Sequence, residues 1–302
     1  MHECGGVAEA GAVAQEEKLE KIALTAAIRA GNHIATRRRE LAGRSGVVEA
    51  VATKSSAVDP VTLVDQESED LISAILMEAT PDASVVGEES GTRANGASGG
   101  ELQWIVDPID GTVNFMYGVP AYAVSIAAAV QGKVVAGVVL DVAAREAYVA
   151  RTSGAARLLH VPAAATAAEH TVMKRELTLG AEGKELAQAL IATGFSYQAD
   201  RRQVQAGVLS ELLPKVRDIR RMGSAALDLC ALAAGRVDGY YEAGLNAWDF
   251  AAGALIAKRA GARVRVPDLD ARSADNALVI AARGEIFDAL TGAVEGGTRG
   301  EC

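Results

Sequence analysis

The stretch Trp104-Ile105-Val106-Asp107-Pro108-Ile109-Asp110-Gly111-Thr112 decides how this chain folds. Its apolar beginning predicts a buried strand over residues 103–106, and the proline after Asp107 denies a sheet any further backbone donor there. The backbone must then turn within three residues, a geometry that can point the carboxylates of Asp107 and Asp110 and the carbonyl of Ile109 into one small space. An ordinary strand–turn–helix with Asp110 as the helix N-cap is the alternative interpretation of so short a motif.

The atoms in this turn suit a hard cation and a phosphate. Oxygen-only ligands favour Mg²⁺ or Mn²⁺ over zinc. Gly111 and Thr112 can present backbone N–H groups at a predicted helix start, where an anion is stabilised. The pattern therefore favours a metal site with a phosphate beside it.

Two further acidic fragments extend the pattern, Gly87-Glu88-Glu89 and Trp248-Asp249. The first follows a predicted strand over residues 84–86, and ligands collect at strand ends in α/β sheets, although a solvated pair of glutamates is the alternative. The second predicts a helix start, with Asp249 as a cap. A cation there must be shared with other carboxylates, because the helix dipole already supplies positive potential.

Composition and charge limit the class of protein. The 302 residues carry a net charge of −9, which argues against a nucleic-acid surface and requires metal ions if an anionic substrate is to approach. No apolar run reaches the ~20 residues of a membrane span, and residues 1–15 lack the basic and leucine-rich parts of a secretory signal. Three cysteines without metal or disulfide spacing indicate a reducing cytoplasm, with Cys230 in the core.

The order of predicted elements indicates an α/β protein in two halves. We expect a flexible N-terminal tail over residues 1–15, then an α+β half over residues 16–160 that carries most of the metal ligands. Residues 161–302 would form the second α/β half, with Asp249 and the residues that face the substrate. A long helix is predicted from Lys18 to Leu41, and a second helix is predicted to open at Asp59-Pro60.

The acidic fragments and their flanks resemble the signatures of the inositol monophosphatase family, over about residues 18–290. The resemblance implies an αβαβα sandwich of the type found in the lithium-sensitive sugar phosphatases, usually assembled as a homodimer. It also implies two to three Mg²⁺ per site, with Mn²⁺ as a substitute. The motifs that carry it are Gly87-Glu88-Glu89, residues 107–115, residues 248–253, Lys54-Ser55-Ser56, Asp59-Pro60-Val61-Thr62, residues 220–229 and Tyr240-Tyr241-Glu242.

The resemblance assigns ligands and catalytic groups to positions of this sequence. The first Mg²⁺ would be held by Glu88, Asp107 and the Ile109 carbonyl, and the second by Asp107, Asp110 and Asp249. A third, weaker ion would lie near Glu88, which also counts among the catalytic groups. The attacking water would be oriented by Thr112, hydrogen-bonded to Asp59.

The substrate contacts implied by the resemblance lie in both halves of the chain. Simple surface charge or dimer salt bridges are the alternative for Arg220 and Arg221, and a structural role is the alternative for Glu242. Lys54 is a candidate to neutralise excess carboxylate charge. The implied substrate-binding residues are Gly111, Thr112, Arg220, Gly223, Ser224, Ala225, Glu242 and Asp249.

The resemblance implies a phosphoric monoester hydrolase, with hydrolysis of myo-inositol-1-phosphate by metal-activated water as the leading activity. Val113-Asn114-Phe115 favours this branch, since nucleotide 3′-phosphatase and histidinol-phosphatase relatives tend to carry a lysine after the threonine. Those activities, fructose-1,6-bisphosphatase and a broad sugar phosphatase remain alternatives. A scaffold role toward a protein partner is the alternative from another class.

Overall fold

The computed structural model describes residues 3–42, 46–49, 52–53, 60–94, 101–180 and 184–297. Within these ranges, no helix is both long and apolar enough to cross a membrane. The helices are α1 (Glu3–Leu41), α2 (Leu63–Ala79), α3 (Thr112–Tyr117), α4 (Ala199–Leu212), α5 (Ala225–Ala233), α6 (Ala247–Arg259) and α7 (Gly284–Gly297). The strands are β1 (Ala52–Thr53), β2 (Pro60–Val61), β3 (Ser84–Gly87), β4 (Gly91–Ala94), β5 (Leu102–Asp110), β6 (Ala123–Val130), β7 (Lys133–Asp141), β8 (Glu146–Arg151), β9 (Ala156–His160), β10 (Val172–Leu177), β11 (Leu190–Thr193), β12 (Asp218–Arg220), β13 (Gly239–Ala243), β14 (Arg263–Arg265) and β15 (Leu278–Ala282).

The strands form two large sheets and one short pair. The first sheet has the order β10-β9-β8-β7-β6-β5-β3-β4, and the second has the order β12-β11-β13-β15-β14. The first is a meander from β5 to β10, extended by β3, which runs parallel to β5. In the second, β11 runs parallel to both β12 and β13, while β15 is antiparallel.

Helices cover both sheets, so the molecule has five layers. One apolar cluster joins α1 and α2 to the first sheet, a second joins α5 and α6 to both sheets, and a third joins α4 and α7 to the second sheet. Since both faces of the first sheet are covered, β6 is an almost unbroken apolar run. The predicted αβαβα sandwich is confirmed.

Small residues let α6 approach the first sheet closely. A Cβ added at Gly137 of β7 would lie 3.0 Å from the Ala252 backbone of α6. Such a contact requires glycine, and it explains the Ala- and Gly-rich composition of this layer.

Several predicted boundaries differ from the structure. Residues 3–15, predicted as a flexible tail, belong to α1, and Glu17 forms an ion pair with Arg151. The boundary predicted at residue 160 falls inside the first sheet, because β10 pairs with β9 beyond it. The second helix begins at Leu63 with Thr62 as its N-cap, after the predicted opening.

Candidate active site

The stretch from Trp104 to Thr112 contains the end of strand β5, which is bulged. Strand β5 continues to Asp110, with an irregularity in which Asp107 pairs with Ser125 and Asp110 pairs with Ala123. Three steps along β5 therefore match two along β6, which makes a β-bulge at the proline. The prediction that the strand ends at Asp107 was wrong, because a bulge absorbs the missing proline donor. The bulge turns both aspartates toward the same end of the sheet.

The turn after β5 needs a glycine at its apex. Gly111 has a φ of 96° and is the N-cap of α3, so Asp110 is not that cap. A Cβ at Gly111 would lie 2.9 Å from the Ala121 carbonyl oxygen. Asn114, in the first turn of α3, donates to the carbonyls of Ala121 and Met222, each at 2.7 Å. These two bonds attach the turn to the segment before β6 and to the loop that precedes α5.

Thr112 contacts an aspartate that the sequence analysis missed. Its Oγ1 lies 3.1 Å from Oδ1 of Asp65 and 3.0 Å from the carbonyl oxygen of Ile109. The predicted partner, Asp59, lies outside the described residues, as does Lys54, so neither role is tested. The available signal was the Thr62-x-x-Asp65 capping box at the start of α2.

Asp65 is held by the helix that it caps. Its Oδ2 accepts hydrogen bonds from the Thr62 backbone N–H at 2.8 Å and from the Thr62 hydroxyl at 2.5 Å. The residue is fully buried. The other oxygen, Oδ1, is thereby fixed in the direction of Thr112.

Glu69, one turn further along α2, supports the loop that carries Glu88. The buried carboxylate of Glu69 accepts from the backbone N–H of Glu89 at 2.7 Å and of Ser90 at 3.0 Å, and from the Ser90 hydroxyl. A Cβ at Gly87 would overlap this carboxylate, so a larger residue there would displace Glu69. Glu69 was also missed by the sequence analysis.

Asp110 joins the two halves of the molecule. Its Oδ2 accepts from the Ser224 hydroxyl at 2.6 Å and from the Ala226 backbone N–H at 2.7 Å, at the start of α5. Ser224 is the N-cap of that helix, as predicted. The backbone N–H of Ala225 also contacts this carboxylate, so the start of α5 fixes its position.

Asp249 lies in the first turn of α6 and is not its cap. The N-cap is Asn246, and Oδ2 of Asp249 accepts from the Asn246 backbone N–H at 2.7 Å. The predicted cap is thus displaced by one turn, to the third position of a capping box. This bond fixes the direction in which the Asp249 carboxylate faces.

These elements surround one hollow of about 420 Å³. Among the described residues, no three Asp, Glu, His or Cys side chains lie close enough together to enclose a metal ion as they stand. The four predicted acidic ligands are arranged around the wall. The predicted site residues that line the hollow are Glu88, Asp107, Ile109, Asp110, Gly111, Thr112, Gly223, Ser224, Ala225, Glu242 and Asp249.

The arginine that lines this hollow is Arg221, whereas Arg220 was the predicted substrate contact. Arg220 forms an ion pair with Asp218 at 2.6 Å and is not part of the wall. Among the described residues of the wall, Arg221 is the one cation, and its charge partly offsets the rise that burial causes in the pKa of Asp110 and Glu242. The substrate role predicted for Arg220 stays a prediction, and the position of Arg221 in the wall makes it a second candidate.

The acids of this wall are shifted toward their neutral forms. Burial raises the pKa of Asp110 to about 6 and that of Glu242 to about 7. The pKa of Asp249 is raised well above its ordinary value, by burial first and then by the charges of Glu88 and Asp110. The side chains of Asp249 and Glu242 are half-buried, with one side open to the hollow. Protein atoms enclose their other sides, and this burial is the main cause of the raised pKa values.

The residues present fit a divalent ion. Carboxylates and one peptide carbonyl are hard oxygen donors, the set that suits Mg²⁺ or Mn²⁺. Burial and, for Asp249, the neighbouring carboxylates raise the pKa of these acids, and a bound cation would favour their charged forms. Because these carboxylates come from different elements around one hollow, one carboxylate could be shared by two ions.

Comparison with known proteins places the chain in a family. Residues 15–297 match the model of the inositol monophosphatase family. The inositol-1-monophosphatase SuhB of Mycobacterium tuberculosis is 45% identical over 284 residues, 92% of this chain and 93% of that protein. The Nus factor SuhB of Pasteurella multocida is 39% identical over 245 residues, 80% of this chain and 83% of that protein.

A solved structure agrees with the sequence comparison. Mycobacterium tuberculosis SuhB superposes with a TM-score of 0.74 at 41% identity, covering 93% of this chain and 97% of that one. The bulged β5 end, the Thr112–Asp65 pair and the acidic hollow thus occur in a chain similar to such enzymes along almost its whole length. The chain belongs to the inositol monophosphatase family and is a phosphatase of that type.

Proposed function

We propose that this phosphatase hydrolyses the phosphate monoester of a small polyol, with myo-inositol-1-phosphate as the leading substrate, in a Mg²⁺-dependent reaction. One observation carries the proposal: four acids line the same hollow as Thr112, whose hydroxyl is hydrogen-bonded to the buried Asp65. The name of the Mycobacterium tuberculosis relative supports the choice of substrate.

The ions would be held by groups from three elements of the wall. Glu88, Asp107 and the Ile109 carbonyl would hold the first, and Asp107, Asp110 and Asp249 the second, with Mn²⁺ as a substitute and a third ion near Glu88. When bound, such ions acidify a water molecule and neutralise the charge of a phosphate.

Thr112 and Asp65 would orient the attacking water and take up its proton. The Thr112 hydroxyl has one hydrogen and two acceptors, Asp65 Oδ1 and the Ile109 carbonyl. When that hydrogen is donated to Asp65, the Thr112 oxygen presents lone pairs toward a water O–H. The water proton can then pass through Thr112 to Asp65, a route that requires the two side chains to stay in contact.

The phosphate and the polyol would be bound by different parts of the wall. The backbone N–H groups of Gly111 and Thr112 suit the phosphate oxygens. The Glu242 carboxylate, which accepts from the Tyr240 hydroxyl at 2.8 Å, suits a substrate hydroxyl. Arg221 supplies the positive charge on the substrate side, and residues 223–225 supply backbone contacts.

Phosphate release from a substrate panel tests the proposal. The panel contains inositol-1-phosphate, fructose-1,6-bisphosphate, histidinol phosphate and an adenosine 3′,5′-bisphosphate, each with Mg²⁺ and with a chelator. We expect the highest kcat/KM for inositol-1-phosphate and turnover only with Mg²⁺. Full turnover in chelator would overturn the metal requirement, and a higher kcat/KM for another ester would reassign the substrate.

Four finer properties remain predictions. We expect a homodimer, which light scattering would detect. We also expect Li⁺ to inhibit the reaction, which a titration of the rate with Li⁺ would measure. Cell fractionation would test the expected cytoplasmic location. The Nus factor name of one relative motivates the fourth, a role toward a protein partner. A scaffold role predicts that the inactive Asp110→Asn variant still recovers its partner, whereas a purely catalytic protein recovers none.

A further inference from the structure

A second cavity, of about 180 Å³, lies on the other side of the second sheet from α5 and α6. It opens between α4 and α7, at the carboxyl ends of the parallel strands β11 and β13, a position where α/β sheets bind ligands. Apolar side chains from three elements form most of its wall, namely Val204 and Val208 of α4, Leu278 of β15 and Val294 of α7. None of these residues belongs to the wall of the acidic hollow.

Two buried hydroxyls interrupt this apolar wall. Thr193 of β11 and Tyr241 of β13 are register partners in the parallel pair, so their side chains stand side by side on one face. They are 1% and 6% exposed, and apart from each other neither hydroxyl has a hydrogen-bond partner among the described residues. Burial raises the pKa of Tyr241, and the nearby Thr193 hydroxyl partly offsets that rise. The two hydroxyls are therefore close to each other.

Successive side chains of β13 alternate between the two faces of the sheet, so Tyr241 and its neighbours face opposite sides. Tyr240 and Glu242 point to the opposite face, where their side chains hydrogen-bond to each other. Tyr241 instead belongs to the apolar cluster of α4 and α7, together with Val208 and Val294. A buried hydroxyl without a partner is costly in a folded protein, so an occupant that bonds to both would be stabilising.

The size and charge of the cavity select a class of ligand. An apolar cavity of about 150 Å³ holds one benzene molecule, so this one has room for a ring with one small substituent. Two acidic residues, Glu242 and Glu295, line its edge, and the Glu295 carboxylate disfavours an anion. Glu295 is already paired with Arg265 at 2.7 Å, so the edge does not call for a cation.

We infer that this cavity is a binding site for a small neutral ring compound that carries one hydroxyl, which bonds to Tyr241 and Thr193. The cavity and the acidic hollow share the wall formed by Gly194, Phe195, Glu242 and Ala243. An occupant therefore contacts the back of the segment that carries Glu242. Its effect on substrate affinity rests on the proposed function, in which Glu242 binds a substrate hydroxyl.

Phenol and toluene are the probes, and the methyl signals of labelled Val and Leu in the full chain are the readout. We expect phenol to shift the signals of Val208, Leu278 and Val294 along one saturating curve. Val204→Trp, at a partly exposed position, should fill the cavity and abolish the shifts, whereas Gln203→Trp, the preceding exposed residue, should keep them. Methyl shifts that do not saturate as the phenol concentration rises, or that persist in Val204→Trp, would show that phenol does not bind in this cavity.

The hydroxyl contact is tested by two deletions. Tyr241→Phe and Thr193→Val should each weaken phenol binding about fivefold to tenfold and leave toluene binding unchanged. An equal effect on both probes would show that the hydroxyls do not select the ligand. This comparison does not depend on activity.

The link to the acidic hollow has its own readout. Saturating phenol should raise KM by about fivefold with kcat unchanged, in the parent and in Gln203→Trp but not in Val204→Trp. An unchanged KM in the presence of bound phenol would overturn the link. A protein that fails to hydrolyse any ester would instead overturn the proposed function, while the methyl shifts would still report on the cavity.

Discussion

At the scale of single residues, the two oxygens of Asp65 have different partners. One oxygen closes the N-terminus of α2 through Thr62, and the other faces Thr112 at 3.1 Å. No local pattern in the sequence predicts the second contact, because Asp65 and Thr112 are 47 positions apart and meet only when α2 packs on β5. The first contact belongs to a capping box, Thr62-x-x-Asp65, that can be recognised in the sequence. The sequence could therefore have indicated the position of Asp65 at the helix start, but not its contact with Thr112.

Asp65→Asn should separate these two contacts. An Asn can still accept from Thr62, but it cannot take up a proton from Thr112, so kcat should fall by about 10²–10⁴. Thermal unfolding should move by only a few degrees, since a helix cap contributes about 1 kcal/mol. Asp70→Asn, on an exposed position of the same helix, is the control and should keep its rate. More than half of the parent kcat in Asp65→Asn would contradict the role of Asp65.

Arg221 and Arg220 offer a matched pair of substitutions. Arg221→Ala removes the cation of the described wall and should raise KM about fivefold to tenfold, a modest effect because the side chain is exposed and its charge is screened. Arg220→Ala breaks only an exposed pair with Asp218 and should leave KM near the parent value. Steady-state kinetics on inositol-1-phosphate measure both, and the reverse order would restore the original assignment to Arg220.

At the scale of elements, α2 positions two parts of the hollow at once. Asp65 and Glu69 are one turn apart on the same buried face, so one helix holds both Thr112 and the loop that carries Glu88. Strands β6 to β8 have buried faces and short turns, for instance Gln131-Gly132, which an apolar pattern with turn residues can indicate from sequence. Edge strands such as β10 were missed, because an exposed strand shows no apolar alternation.

Glu69→Gln tests this support of the loop by α2. The amide places an N–H₂ group against a backbone N–H of Glu89 or Ser90, which displaces the loop and with it Glu88. The Mg²⁺ concentration for half-maximal rate should rise about tenfold or more, while kcat at saturating Mg²⁺ stays within a few-fold of the parent. Glu67→Gln, whose carboxylate pairs with Arg37 on α1, is the control. An unchanged Mg²⁺ requirement in Glu69→Gln would contradict the role of this residue.

At the scale of the whole molecule, the fold brings acidic groups from both halves of the chain to one hollow. The acidic motifs predicted that gathering, and Glu88, Asp107, Asp110 and Asp249 all line the hollow. The cavity behind the second sheet could not be predicted, because it depends on how α4 and α7 pack. Contacts between distant helices leave no signature in a local pattern.

The gathered acids predict an unusual pH dependence of the metal-free protein. Between the ordinary carboxyl pKa of about 4 and the folded values of about 6 for Asp110 and about 7 for Glu242, the folded state binds more protons than the unfolded state. The free energy of unfolding should therefore fall as pH rises from about 5 to about 8, and Mg²⁺ should restore it at the upper end. Urea unfolding in a chelator measures this slope, which Asp110→Asn should flatten. A free energy that rises over the same range would contradict the assigned shifts.

Direct counting of Mn²⁺ by electron paramagnetic resonance tests the central claim, that these carboxylates hold divalent ions together. The parent should bind about two or more ions per chain, and Asp107→Asn, at the ligand shared by both ions, should lose most of that binding. Asp82→Asn, an exposed aspartate outside the hollow, should bind like the parent. Equal Mn²⁺ binding by the parent and by Asp107→Asn would contradict the account.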